Sequence, residues 1–319
     1  MRAVLRAASG DPDEELCARA AWLYYGAGLT QGEVAKRLSV PSVKAHRLVA
    51  RANRLGLIHV SINAPVAACI QLEDALRRRF KLDQCLVAPE IDDDPLPLRS
   101  LGLSGGRFLR LAIESGAHPT IGVGHGRTLA ACVAQLPRMD VPELKLVSLL
   151  GGMTRRYVTT PFDVIHRLAE KTNAAAYVLP LPFLANTAED RAVLLEQRGV
   201  ADVFELGVES TLRFVGIGAI NDDASILSTG LVERDEFEEA RRHGAVGELL
   251  GHLFSARGDL IDSGVSARAL SMSASDIAKQ PTVAIAGGGS KIDAIRGVLA
   301  SGLLRGLVTD EKTARALAN

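Results

Sequence analysis

The chain has 319 residues, with 37 Lys+Arg against 37 Asp+Glu, so its formal net charge is zero. That balance excludes a uniformly basic nucleic-acid binder and an acidic disordered tail, but not one basic segment offset by an acidic remainder. Apolar residues make up 47% of the chain, enough for one large domain with a small one or for two of similar size. Aromatic residues, at 4%, are too sparse for base-stacking platforms of the single-strand type. No stretch reaches the roughly 18 apolar residues of a membrane-spanning helix. Ser9-Gly10-Asp11-Pro12-Asp13 also stands where a signal peptide needs an apolar run. A cytoplasmic protein with no membrane partner is therefore expected. Cys17, Cys69, Cys85 and Cys132 form no C-x-x-C pair, so they read as reduced buried thiols, with no metal and no cofactor expected.

The basic segment exists. Between Glu33 and Glu73 there is no acidic residue, while Lys36, Arg37, Lys44, Arg47, Arg51 and Arg54 all fall there. A first helix is predicted over 14–25 through Leu16, Ala20, Leu23 and Tyr24, stopping at Gly26-Ala27-Gly28. Thr30 caps a second helix, 31–38, and Glu33 three residues on completes a capping box. Ser39-Val40 makes a tight turn, and Pro41 suits the first turn of a third helix reaching Leu55. Ala45, Leu48, Val49, Ala52 and Leu55 fall within about 120° of arc and form its buried stripe. Lys44, Arg47, Arg51 and Arg54 lie on a neighbouring outward stripe, and His46 is exposed on the far side.

A helix-turn-helix needs this arrangement: a small residue (Ala35) where the helices approach, a plug (Val40) in the turn, and a second helix offering its first turns to the major groove. A generic helical hairpin would explain the apolar stripe alone, but not cap, turn and basic stripe together. Lys44 and Arg47 can donate to guanine or phosphate, Ser42 and His46 can reach base edges, and Arg51 extends the basic stripe. Thr30 and Gln31 are placed to donate to a phosphate. The alternating segment 56–62 reads as a wing strand.

Beyond Pro65 the pattern changes. Segment 64–81 contains a helix with Leu72, Leu76 and Phe80 on one face, either a dimer-forming connector or a helix packed on its own domain. Strand-like runs then appear at 84–88, 120–123, 144–150, 175–179, 213–217, 282–286 and 306–308. Helix-like stretches at 97–114, 127–136, 162–171, 235–242, 291–300 and 311–317 alternate with them. Such alternation predicts βαβ units on a parallel sheet, so the fold class is α/β, Rossmann-like, behind an N-terminal helix-turn-helix. The chain divides at 1–63 and 64–319.

Two glycine loops join strand to helix: Gly124-His125-Gly126-Arg127-Thr128 and Gly287-Gly288-Gly289-Ser290-Lys291. Glycines there let backbone N–H groups converge on an anion, and the following cations add charge. Neither loop is a Walker A motif, and the first misses the dinucleotide fingerprint. Tight-turn geometry alone would also account for either loop. A third loop, Val215-Gly216-Ile217-Gly218-Ala219-Ile220-Asn221-Asp222-Asp223-Ala224-Ser225, carries polar groups suited to a carbohydrate. Gly244-Ala245-Val246-Gly247-Glu248 is expected to open a helix, with Glu248 accepting sugar hydroxyls or serving the helix dipole.

These motifs together resemble the SorC family of sugar-binding bacterial transcription regulators. The resemblance is carried by A-x-L-Y-Y-x-x-G-L-T-Q-x-E-V-A-x-R-L from Ala21, H-R-L-V-x-R-A from His46 and G-x-G-R-T-L-A from Gly124. It continues through G-G-M at Gly151, G-I-G at Gly216, G-A-V-G at Gly244, A-G-G-x-x-K at Ala286 and L-V-T-D-E-x-T-A at Leu307. It implies a winged helix-turn-helix on double-stranded operator DNA and an effector domain resembling sugar-phosphate isomerases and deaminases. It also implies a homo-oligomer, commonly a tetramer, and a sugar, sugar-phosphate or polyol effector. By position, Arg127, Thr128, Glu248 and Lys291 match effector contacts, and Gly152 of G-G-M joins the same pocket. Ser255 replaces an Asp usual after Phe254, which implies a different ligand, and 41–46 departs from the common S-R-P-T-V-S, which implies a different operator. The 41–52 segment and Gly-His-Gly are similar to the erythritol-catabolism regulators of the family. The expected function is a ligand-controlled repressor with no catalytic residue. The alternative is a sugar-phosphate isomerase or deaminase, for which His125 and Glu248 are the candidate bases.

Overall fold

A computed structural model describes residues 12–58, 67–91, 95–152, 164–222, 224–228 and 230–319. The chain forms two compact units, Met1–Ala64 and Pro65–Asn319.

In the first unit, α1 (Pro12–Ala21) runs on into a π-helical turn, Trp22–Gly26. Helix α2 (Gln31–Arg37) and helix α3 (Ser42–Arg54) follow. The capping box forms as expected: Thr30 Oγ1 accepts from Glu33 N–H at 3.4 Å, and Glu33 Oε2 accepts from Thr30 N–H at 2.8 Å. Pro41 stands at the N-cap of α3 rather than inside its first turn, a place where its missing N–H is no loss. Ala45, Leu48, Val49 and Ala52 bury against Cys17, Ala20, Val34 and Ala35 to make the core of the unit. Leu55 does not join them. It is 44% exposed as the C-cap of α3, where the helical stripe has ended. The expected wing lies mostly outside the described residues; its described part, 56–58, is turn and coil. Thr30→Ala should cost the unit about 1 kcal/mol, read as a lower denaturation midpoint, while Thr30→Ser should stay near the original.

The second unit opens with α4 (Ala67–Phe80), β1 (Gln84–Ala88), α5 (Leu98–Glu114) and β2 (Thr120–Val123). Next come α6 (Arg127–Ala134), β3 (Lys145–Ser148), α7 (Val164–Thr172) and β4 (Ala175–Tyr177). Helices α8 (Ala188–Leu195) and α9 (Val200–Glu209) lead to β5 (Leu212–Val215), β6 (Gly218–Ala219), α10 (Ser225–Ser228) and α11 (Arg234–Arg242). Strands β7 (Ala245–Leu249), β8 (His252–Ser255) and β9 (Leu260–Ile261) precede α12 (Gly264–Arg268) and α13 (Ala274–Ile277). The unit closes with β10 (Thr282–Ile285), α14 (Ile292–Ala300), β11 (Gly306–Asp310) and α15 (Glu311–Ala318).

Seven strands form one parallel sheet in the order β1-β11-β10-β5-β2-β3-β4. Every strand-like run beyond Pro65 is in it, and the inner runs are apolar because helices cover both faces, while the edge strand β4 is exposed. A second sheet, β6-β7-β8-β9, is antiparallel. The apolar face of α4 is spent inside its own unit, with Leu76 fully buried and Leu72 and Phe80 packed in the same cluster as Ala314 and Leu317. Arg79 ties this helix to α15 by donating to the Ala318 carbonyl at 2.8 Å.

Arg213 on β5 is fully buried. Its guanidinium donates to the carbonyls of Gly207, Val208, Asp276 and Ile277 and to Ser210 Oγ, at 2.6–3.2 Å. The C-terminal ends of α9 and α13 therefore share one cation, which adds a charged donor to helix-end carbonyls, two of which, Gly207 and Asp276, also accept from the N–H groups of Ser210 and Lys279. None of the described helices is long and apolar enough to cross a membrane.

Candidate functional site

From β2 the chain proceeds to β3 and β4 in one direction, then crosses back to β5, β10 and β11 on the other side. The strand order thus reverses between β2 and β5, and in open α/β sheets ligands lodge outside the carboxyl ends of the strands at such a reversal. Both glycine loops nearest this point belong to the expected site. Gly124 N–H donates to the Phe214 carbonyl at 2.8 Å, and a Cβ on Gly216 would lie 3.3 Å from the His125 carbonyl. The loop at 124–126 is therefore held against the loop after β5 by backbone alone. Gly126, at φ +128°, caps α6, whose first turn holds exposed Arg127 and buried Thr128.

Segment 244–248 corrects the sequence expectation of a helix. It is strand β7, pairing with β8, and its residues alternate between buried Ala245, Gly247 and Leu249 and half-buried Val246 and Glu248. A period of two decides for a strand. Gly247 is needed because α14 crosses closely: a Cβ there would meet the Ala294 carbonyl at 2.8 Å. With no helix, Glu248 has no helix dipole to serve. Its Oε1 accepts from Gly251 N–H at 2.6 Å, and its Oε2 sits where a Cβ on Gly218 would stand 2.6 Å away. Gly218 pairs with Glu248 in register, so the absent side chain is what makes room for the carboxylate.

Lys291 arrives from the β10 loop at the head of α14 and donates to the Ile217 carbonyl at 2.8 Å. Burial, and then the Arg127 guanidinium, push its pKa down to about 8, against the pull of Glu248. Burial raises the Glu248 carboxyl, opposed by the Gly251 N–H and Lys291. Arg127, Glu248 and Lys291, from three separate elements, thus share one electrostatic neighbourhood. Asn221 joins them by donating from Nδ2 to the Ser290 carbonyl at 2.9 Å, tying the β6 loop to the β10 loop. The neighbourhood offers two cations, one carboxylate, an amide and a buried hydroxyl, a set suited to hydroxyls and to an anionic group.

Two expected contacts are differently employed. Gly152 gives its N–H to Leu181 and its carbonyl to Phe183, so its backbone is spent on the 181–183 segment. The N–H of Gly124 is likewise committed to β5. Ser255 closes its own turn, donating to Asp259 Oδ2 and accepting from the N–H groups of Arg257 and Asp259. Met153 lies outside the described residues.

Asp310 and Thr313 lie outside the expected set but shape it. Asp310 is buried, accepts from Gly288 N–H, Thr313 N–H and Thr313 Oγ1, and would leave no room for a Cβ on Gly287. These residues fix the glycine loop that delivers Lys291 and line a cleft of about 220 Å³ with Ser100, Pro97 and Ile292. Their signal in the sequence is the Asp-x-x-Thr spacing of an N-cap after a strand.

On the first unit, Ser42, Lys44, His46 and Arg47 are all exposed in the first turns of α3. Arg51 pairs with Asp13 at 2.9 Å. Thr30 spends both its N–H and its hydroxyl on the Glu33 carboxylate, at 2.8 and 2.7 Å, while Gln31 beside it is exposed.

Residues 64–319 match the family model described as "Putative sugar-binding domain". Together with the relatives below, this shows that the chain belongs to the SorC family of sugar-binding transcriptional regulators. It is 50% identical over 307 residues to the erythritol catabolism regulatory protein EryD of Brucella abortus (strain 2308), covering 96% of this chain and 97% of that one. To the transcriptional regulator LsrR of Enterobacter sp. (strain 638) it is 34% identical over 310 residues, or 96% and 93% of the two chains. The full-length sorbitol operon regulator SorC from Klebsiella pneumoniae shares the fold, with a TM-score of 0.73, 23% identity and coverage of 97% and 100%. These relatives are regulators and not enzymes.

Proposed function

We propose that the protein is a DNA-binding repressor of a sugar or polyol catabolic operon, released by a small effector of the erythritol type. Residues 1–63 bind double-stranded operator DNA, and residues 64–319 sense the effector and assemble the protein as a homo-oligomer, a tetramer, in the cytoplasm. Operator contacts come from Gln31, Ser42, Lys44, His46 and Arg47, with Arg51 and Thr30 holding the surface in shape. The effector lies among Gly126, Arg127, Thr128, Gly218, Asn221, Glu248 and Lys291, with Gly124, His125 and Gly152 framing it. The convergence of Arg127, Glu248 and Lys291 at the strand-order reversal carries this reading. The 50% identity to a regulator named for erythritol catabolism supports the effector class.

Effector and operator are coupled only through their differential affinity for two states of the protein. Thermal-shift screening of polyols, sugars and their phosphates tests the reading, since a specific ligand stabilises by RT ln(1 + [L]/Kd). Erythritol or a close relative should raise the midpoint and weaken operator binding together; a ligand that does neither is not the effector. Failure of every polyol and sugar would overturn the sensing role.

The state of Lys291 separates the ligand classes. A lysine pushed down to about 8 loses its proton as pH rises through that value. Affinity for a phosphorylated effector should therefore fall by several-fold between pH 7 and 9, while that for a neutral polyol should stay nearly flat. Titration calorimetry at the two pH values reads this directly. The fold itself should gain stability from Lys291 over the same range and up to the ordinary 10.5, because the unfolded chain binds the extra proton there.

A further inference from the structure

We infer that Val43, flanked by the polar residues already assigned to the operator, is itself a base-reading residue that packs against the C5-methyl group of a thymine. The inference rests on the DNA-binding role proposed above. Helix α3 buries Ala45, Leu48, Val49 and Ala52. At about 100° per residue, Val43 lies about 170° from the centre of that stripe. It is the middle of the outward face in the first turn, with Lys44 and Arg47 to one side and Ser42 and His46 to the other.

Val43 is 66% exposed. A β-branched side chain on an exposed helical position favours the helix less than Ala or Lys would, so neither the core nor helix propensity accounts for it. Its neighbours supply what a groove requires, positive charge for phosphates and hydrogen-bonding groups for base edges. The N-terminal residues of a recognition helix are those that meet the bases. An apolar side chain at the centre of that surface has one apolar partner in the major groove, the thymine methyl. Arg47 follows one turn later on the same line, so the arrangement reads a thymine beside a base or phosphate held by arginine.

The test uses the full chain and duplexes that it enriches from a random double-stranded library. Each thymine of an enriched duplex is replaced singly by deoxyuridine, which deletes the methyl and leaves pairing intact. For the original protein, at least one replacement should weaken binding about fourfold, the worth of one buried methyl-sized group. In Val43→Ala that penalty should vanish at the same position while penalties elsewhere persist, a coupling that only direct contact produces. Val43→Ile, which keeps an apolar branched tip, should retain it. Identical deoxyuridine profiles for the original and Val43→Ala overturn the assignment of Val43 but leave DNA binding standing. Failure to enrich any duplex overturns the DNA-binding role and this inference with it.

Discussion

Replacing Arg213 with methionine should lower the stability of the second unit by roughly 3–5 kcal/mol. The side chain is fully buried, and its donors answer four backbone carbonyls and one hydroxyl from two helix ends. Methionine fills much of the volume but donates nothing. The Gly207 and Asp276 carbonyls keep the N–H groups of Ser210 and Lys279, but every acceptor loses a charged donor inside the protein, at about 1–3 kcal/mol for the worst of them. Lysine should recover only part of the loss, because three donors on one atom cannot span carbonyls of α9 and α13 together. Urea denaturation followed by circular dichroism measures the difference. A midpoint unchanged in the methionine variant would mean that those helix ends find other donors.

Gly218→Ala should separate sensing from folding. The new Cβ would stand 2.6 Å from Glu248 Oε2, the far end of a flexible side chain, so the carboxylate can swing aside without moving the backbone. In moving it gives up the Gly251 N–H that holds Oε1 at 2.6 Å. Displaced, the carboxylate no longer meets an effector hydroxyl. Since a hydrogen bond to a charged group contributes about 1.5–3 kcal/mol, effector affinity should fall at least tenfold, with operator affinity in the absence of ligand unchanged. Calorimetry with the ligand selected by thermal shift decides the matter. Undiminished affinity would remove Glu248 from the effector site.

The parallel sheet was legible because buried strands are short apolar runs set between amphipathic helices, and each run maps onto a strand. Thr30 and Glu33 were legible for a different reason, since a capping box is a local arrangement within four residues. The antiparallel sheet was not. Its β7 is five residues long, with two small residues on the buried side, and its register is set by the approach of Gly247 to Ala294, some 47 positions away. The surroundings of Glu248 are set by Gly218 and Lys291 rather than by its own backbone, so its local sequence does not reveal them. Leu55 shows the opposite failure: helical phase puts it on the buried stripe, but the helix stops one residue short of it. The bond of the Gly152 N–H to a segment some thirty residues on is set by the tertiary fold, and no local motif reveals it.

The neighbours of β11 set the order in which the protein becomes functional during synthesis. Among the described residues strand β1 pairs only with β11, more than two hundred residues later, and α4 finds its cover on α15. The helical head has local contacts and can fold as soon as it leaves the ribosome. The sheet has to wait for its penultimate element, a delay of roughly 10–50 s at ordinary rates of translation. Each nascent molecule therefore holds a completed first unit for a time before the pocket proposed for the effector exists.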